Sequence, residues 1–264
     1  MNDSIKPVDI LAHNREAWNR ESAKGNKWTI PVDHAAIEAA RRGEWSVLLT
    51  PTIPVPRDWF GDMRGKRVLC LASGGGQQAP IFAAAGARVT LIDNSPYQLN
   101  ADRHVAEREG LTLRLEQGDM RDLSRFADSS FDLIFHPVSN IFVDNVRIVW
   151  KECARVLEVG GSLLAGIMNP FLNIFDLEKV DRTGEIEVRY KIPYSDLEQL
   201  PPDQLKAKID SGEPLEFAHS FDDQIGGQIA VGFSIEGFFE DISGWDFLDD
   251  TISTFIATKA VRRR

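Results

Sequence analysis

The sequence predicts an α/β fold, a doubly wound, mostly parallel seven-stranded sheet with one antiparallel strand near its C-terminal edge. Three observations carry that prediction. From Lys66 onward, short apolar runs alternate with helical stretches, the rhythm that lays parallel strands side by side with helices on both faces. The first run, "RVLCLA", is apolar after its arginine, as a strand covered on both faces requires. The last two runs, "FSIEGFFED" and "STFIATKA", are separated by a short polar turn, and a hairpin makes that pair antiparallel.

Residues 1–60 differ from the rest and read as an N-terminal helical cap on a domain of residues 61–264. They hold four of the six tryptophans (Trp18, Trp28, Trp45, Trp59) and two helical stretches, at roughly 9–22 and 33–42, the second with Asp33 as N-cap and Gly43 as stop. "LTPTIPVPRDWFGDMRGK" is too rich in proline for regular helix. After the first strand, "QAPIFAAAG" is a helix that admits Pro80 in its first turn. "ARVTLID" is the second strand. "SPYQLNADRHVAEREG" is the second helix of the domain, capped by Ser95 with Pro96 at its first position. "LTLRLEQGD" and "FDLIFHP" are the third and fourth strands. Val146, Trp150, Cys153 and Val156/Leu157 then form one apolar helix face, and "GGSLLAGIMNP" is the fifth strand. Residues 171–219 break the rhythm and read as an inserted, lid-like segment. "SFDDQIGGQIAVGF" is a helix between Ser220 as N-cap and Gly232 as stop, ahead of the closing hairpin.

Composition removes several classes of function. The net charge of −10 argues against gripping nucleic acid through a basic surface, and "VRRR" at 261–264 reads as a solvated tail. The two cysteines, Cys70 and Cys153, stand far apart without a CxxC or a histidine-rich partner, so neither a metal site nor a disulfide framework is expected. "MNDSIKPVDILAHNREAWNR" lacks a signal-peptide pattern, and no apolar run approaches the roughly 20 residues of a membrane span. The expected setting is cytoplasmic, with no membrane partner; the oligomeric state is left open.

Chemistry gathers at the end of the first strand, where open α/β sheets bind ligands. Ser73-Gly74-Gly75-Gly76-Gln77 lies there, and Gly74, Gly76 and Ala79 satisfy GxGxxA. Alone this is weak, since any strand-to-helix turn can be glycine-rich. Asp93 sharpens it: 19 residues after Gly74, it ends the second strand, where an acid can accept hydrogen bonds from both hydroxyls of a ribose. The ligand expected is one that contains adenosine.

Here the chain resembles the class I S-adenosylmethionine (SAM)-dependent methyltransferases. "VLCLASGGG" resembles their first motif, usually close to V-L-D-L-G-C-G-T-G, and "LID" matches their ribose acid. "EQGDMRDL" resembles the segment whose Asp and following residue flank adenine, "FADSSFDLIF" their approach to strand four, and "ECARVLEVGGSLLAG" their R-V-L-K-P-G-G turn. The likeness covers about residues 64–170, and the hairpin at 233–260 fits the family's reversed last strand. It implies SAM as cofactor, S-adenosylhomocysteine (SAH) as product, and a cofactor site of Ala72, Ser73, Gly74, Gly75, Gly76, Gln77, Asp93, Asn94, Ser95, Gly118, Asp119, Met120, His136 and Pro137. Two positions depart from the pattern: Cys70 stands where the family usually has an acid, and Ala72-Ser73 where Gly-Cys is common.

The resemblance implies transfer of a sulfonium methyl to a nucleophile, in which the protein mainly orients the reactants. A base is needed only for an acceptor that arrives protonated. His136, directly after "FDLIF", is the candidate base, or else a histidine that only lines the pocket or bonds to a loop carbonyl. Trp18, Trp28, Ser139, Asn140, His219 and Phe221 are the candidate substrate-pocket residues, with simple packing of the N-terminal helices the favoured reading for the tryptophans and surface loop positions the alternative for His219 and Phe221. The acidic composition and aromatic cap favour a small organic acceptor. Two alternatives use the same residues: an NAD-dependent oxidoreductase, and a SAM-binding protein without catalysis.

Overall fold

The computed structural model describes residues 8–244 and 247–264, so the start of the proposed cap, residues 1–7, and part of the final hairpin connection lie outside the described residues. The chain opens with α1 (Ile10–Lys24), where the Asp9 side chain accepts from the Ala12 N–H and Gly25 closes the helix in a left-handed conformation. α2 (His34–Arg41) is capped in the same way by Asp33, as its sequence predicts. Then follow β1 (Arg67–Leu71), α3 (Gln78–Ala84), β2 (Arg88–Asp93), α4 (Pro96–Glu109), β3 (Leu113–Gln117), β4 (Phe131–His136), α5 (Val146–Val156) and β5 (Leu157–Met168).

Residues 171–219 hold α6 (Leu177–Thr183), β6 (Tyr194–Ser195), α7 (Asp196–Gln199), α8 (Pro202–Ser211) and β7 (Phe217–Ala218), with β6 and β7 paired as a separate two-stranded sheet. Asp222–Gly226 form a wide π turn that leads into α9 (Gly227–Ala230), so the helix predicted after Ser220 is not α-helical from its start. β8 (Phe233–Asp241) and β9 (Phe255–Arg262) complete the chain. The connection between them, residues 242–254, is longer than the short turn expected from sequence. Within it the Asp249 carboxylate accepts from the Ser243 and Gly244 N–H groups and the Thr254 hydroxyl.

The main sheet has the order β3-β2-β1-β4-β5-β9-β8. β9 runs antiparallel to both β5 and β8, one place in from the edge, and the remaining neighbours are parallel. Strand order reverses between β1 and β4, and that switch point opens the crevice where ligands bind. Alternate residues of β1 serve the two faces. Val68 and Cys70 pack with α2, α3 and α4, and Leu69 and Leu71 with α5. Cys70 is wholly buried in the first of these clusters, the small hydrophobe expected where the family has an acid.

α1 ties the two ends of the chain together. The Asn14 amide accepts from the Leu215 N–H at 2.7 Å and donates to the Leu215 and Phe142 carbonyls at 3.0 and 3.1 Å. Leu205, Leu215 and Phe217 pack against Val8, Ile10 and the rest of α7–α8 in a small core of their own. On its other side α1 meets α4, where Ser95 donates to the Asn19 amide and Asn94 to the Leu11 carbonyl. Among the described residues, no helix is long and apolar enough to cross a membrane.

Candidate active site

A cavity of about 660 Å³ lies at the carboxyl ends of β1–β4, within the usual range of roughly 300–1,000 Å³ for a small-molecule site. Its floor is formed by Ala72–Gly74 after β1, Asp93 and Asn94 after β2, residues 118–121 after β3, and residues 137–139 after β4. α1, Trp28, residues 46–51 and Glu216 of the inserted segment enclose the rest.

The glycines have a reason within the chain itself. A Cβ on Gly74 would lie 2.6 Å from that of Gln98, one on Gly75 2.9 Å from the Trp28 carbonyl oxygen, and one on Gly76 2.9 Å from Pro31. The turn is squeezed between α4 and the segment 28–31, which is also strapped to it by Val32 N–H donating to Gly76 O and Gln77 Nε2 to the Lys27 and Ile30 carbonyls. Gly75 and Gly76 adopt positive φ, 117° and 75°, which glycine tolerates best. Their N–H groups do not face the cavity. Both donate to Asp102 Oδ2, at 2.9 and 3.0 Å.

Asp102 is therefore a residue that motif reading missed. It sits fully buried between Leu99 and Val105, and burial pushes its carboxyl up to about 8, only partly opposed by the two glycine N–H groups. A carboxylate within the buried stripe of α4 was the available signal. Its position also decides between ligands. A pyrophosphate needs free amides at this turn; here two of them are consumed by an acid, and adenosine without phosphate fits.

Asp93 is the last residue of β2. It borders the cavity, with Oδ2 accepting from Gly74 N–H at 2.9 Å and Oδ1 from Ser95 N–H at 2.8 Å. A carboxylate offers about four acceptor positions, so lone pairs remain for two hydroxyls. Burial raises its carboxyl to about 6, against the pull of the Ser95 and Gly74 N–H groups. Asp119 borders the cavity too, gripped by Arg121 at 2.7 Å, with Arg121 turned also to Asp144.

The expected site residues divide into two groups. Ala72, Ser73, Gly74, Gln77, Asp93, Asn94, Gly118, Asp119, Met120, Pro137, Ser139, Trp18 and Trp28 all border the cavity. Gly75, Gly76, Ser95, His136, Asn140, His219 and Phe221 are not among its lining residues. Ser95 is spent on capping α4, accepting from Gln98 N–H. Phe221 stands edge-on to Phe171 on the surface.

His136 is the main correction. Alternation along β4 turns it toward α5, where it is wholly buried and meets Trp150 edge-on at 6.0 Å. Nδ1 bonds to the Leu71 carbonyl at 2.8 Å, and Nε2 meets the Asn140 side-chain amide at 2.5 Å. Burial lowers its pKa despite those partners. The ring has no face toward an acceptor, so its work is to hold the turn at 139–142. Asn140 passes the contact on to Gln224, and His219 Nε2 braces the same turn through the Asn140 and Val143 carbonyls. His136→Ala is accordingly expected to lower stability by about 2–4 kcal/mol in urea unfolding, as a vacated core site with stranded polar partners does. Unaltered stability would put the ring outside the core framework.

A seven-stranded sheet with its reversed strand second from the edge, and a glycine turn and an acid at the ends of the first two strands, together define the class I methyltransferase arrangement. The chain belongs to the methyltransferase family: the pattern of a methyltransferase domain matches residues 69–165, and an "uncharacterized methyltransferase YbaJ" of Bacillus subtilis is 50% identical over 253 residues, 96% of this chain and 98% of that one. A sterol 24-C-methyltransferase of Gibberella zeae is 34% identical over 105 residues, which is 39% of this chain and 27% of that enzyme. Among solved structures, a SAM-dependent methyltransferase from Mesorhizobium loti shares the fold with a TM-score of 0.61 at 19% identity, over 78% of this chain and 95% of that one. The Burkholderia thailandensis 1,6-didemethyltoxoflavin-N1-methyltransferase, solved with its substrate and SAH, does so with a TM-score of 0.58 at 14% identity, over 99% and 93%. The protein is a SAM-dependent methyltransferase, and the oxidoreductase and non-catalytic alternatives give way to that reading.

Proposed function

We propose that the protein methylates a small organic acceptor held in the enclosed part of the cavity, beneath a cap drawn from residues 8–60 and a lid of residues 171–219. One observation carries this reading: the wall beyond the cofactor residues is mainly apolar and is supplied by the chain's own α1, Trp28, residues 46–51 and inserted segment. A macromolecular acceptor would need an open approach. The methyltransferase of Burkholderia thailandensis, which shares the fold over nearly the whole chain, holds 1,6-didemethyltoxoflavin, and this is consistent with the reading.

When bound, SAM supplies an already activated methyl group, so the chain's task is to bind, orient and keep water out. In this reading Asp93 holds the ribose, residues 118–120 flank the adenine, and Ala72–Gly74 let the backbone approach the methionine part. Trp18, edge-on to Phe142 at 5.1 Å, closes the acceptor side. The test is to incubate the enzyme with methyl-labelled SAM and a cell extract separated by size. Label is expected in the small-molecule fraction; label confined to protein or nucleic acid would overturn the proposal.

A further inference from the structure

We infer that Glu216 is the group that meets the methyl acceptor, its carboxylate accepting the hydrogen of the reacting N–H or O–H and taking that proton as the methyl is transferred. The acceptor class that follows is an apolar body carrying an amine or hydroxyl, and not a carboxylate. This rests on the small-acceptor reading above.

Three carboxylates border the cavity: Asp93, Asp119 and Glu216. The first is engaged by two backbone N–H groups and the second by a guanidinium. Glu216 differs. Its nearest charged partner is Lys208 Nζ, 3.8 Å away, and that ammonium is drawn closer to Asp196, at 2.8 Å. Among the described residues, no hydrogen bond is made to the Glu216 carboxylate. Its side chain keeps 32% of its surface accessible, and Glu216 is one of the residues lining the cavity.

The position is held firmly. Glu216 N–H donates to Asp196 Oδ2 at 2.7 Å, Asp196 N–H returns a bond to the Glu216 carbonyl at 3.1 Å, and Tyr194 Oη donates to Asp196 Oδ1 at 2.7 Å. Asn14 clamps the preceding residue, Leu215, so Glu216 enters the wall beside α1 and the turn at 139–142. The lining of the cavity that Glu216 joins is mainly apolar, with Trp18, Ile141, Phe142, Met168 and Phe255 among it. A lone carboxylate with spare lone pairs on an apolar wall selects a hydrogen-bond donor and repels another anion.

The chemistry balances. The acceptor's lone pair forms the bond to the methyl carbon, the carbon–sulfur bond breaks with its electron pair left on sulfur, and the acceptor's proton passes to a Glu216 oxygen. Burial raises this carboxyl's pKa above its ordinary value, against the influence of Lys208 and together with the nearby Asp196 and Glu213, and so makes it a better proton acceptor.

The test uses the protein saturated with SAH and three probes sharing one phenyl-bearing body: 2-phenylethylamine, 2-phenylethanol and 3-phenylpropionate. Binding is followed by calorimetry and by the fluorescence of Trp18 and Trp28. The amine and alcohol are expected to bind and the carboxylate not. In Glu216→Gln the amine should weaken by about tenfold or more and the discrimination against 3-phenylpropionate should disappear, with SAH affinity unchanged. Glu216→Asp should keep that discrimination. Equal amine affinity in the wild type and Glu216→Gln, or wild-type binding of 3-phenylpropionate as tight as that of the amine, would overturn the assignment. Either result can occur while methyl label still enters small molecules, so failure here is separable from failure of the small-acceptor reading.

Discussion

Asp93→Ala is expected to weaken SAH binding by about 100-fold or more in titration calorimetry. Each hydrogen bond from a ribose hydroxyl to a charged acceptor contributes roughly 1.5–3 kcal/mol, and two would be lost together. The substitution also strands the Gly74 and Ser95 N–H groups that Asp93 now satisfies, so a melting curve should accompany the titration. The pH dependence has a definite sign. With its carboxyl at about 6, Asp93 gains a proton as pH falls through that value, and a protonated acid is a poorer acceptor for two hydroxyls. Affinity should therefore drop on acidification in the wild type. An affinity within about threefold of wild type for Asp93→Ala would mean the ribose lies elsewhere.

Asp102 is expected to make stability fall as pH rises. Its carboxyl is pushed up to about 8 in the folded protein, far above the ordinary 3.8 of an unfolded chain. The folded state thus keeps a proton that the unfolded state releases. The associated stabilisation is complete below about pH 4, declines through the interval, and is gone above about pH 8. Asp93 acts with the same sign only up to about 6. His136 and His219, lowered by burial, and Glu216, raised by it, also titrate differently on unfolding, so the contribution of Asp102 is the difference between the wild-type slope and that of Asp102→Asn. One proton of difference corresponds to a slope of about 1.4 kcal/mol per pH unit. Urea unfolding between about pH 6 and 8 should show slopes that differ by this order between the wild type and Asp102→Asn. The same slope in both proteins would mean that Asp102 is ionised when folded. Its Oδ1, buried without a hydrogen-bond partner, already favours the neutral form.

The sheet could be read from the sequence because its strands are buried on both faces and announce themselves as continuous apolar runs, as in "VLCL" and "DLIF". The caps were legible for a similar reason: Asp9 aside, Asp33, Ser95 and their stops follow local rules that tertiary contacts did not override. Most of the expected cofactor residues border the cavity, since they hang on strand ends whose order the motifs fix. His136 failed because periodicity along a strand gives its alternation but not which face borders the cavity. Glu216 could not be found at all. It enters the wall from an insertion whose path depends on long-range contacts such as Asn14 with Leu215, and no local pattern encodes them. Asp102 lay between: a buried acid in the stripe of α4 was visible, but its partners, the glycine amides, were not.

The clamp of Asn14 on Leu215 joins residues separated by 201 positions. During synthesis α1 leaves the ribosome first, and its partner only after most of the chain has followed. The helix has to wait, undocked, while the sheet assembles from β1 to β5, since the ordering cost of so long a loop is repaid only when both ends exist. Because α1 supplies one wall of the cavity, ligand-binding competence arrives only after Leu215 has been made and α1 has docked on it.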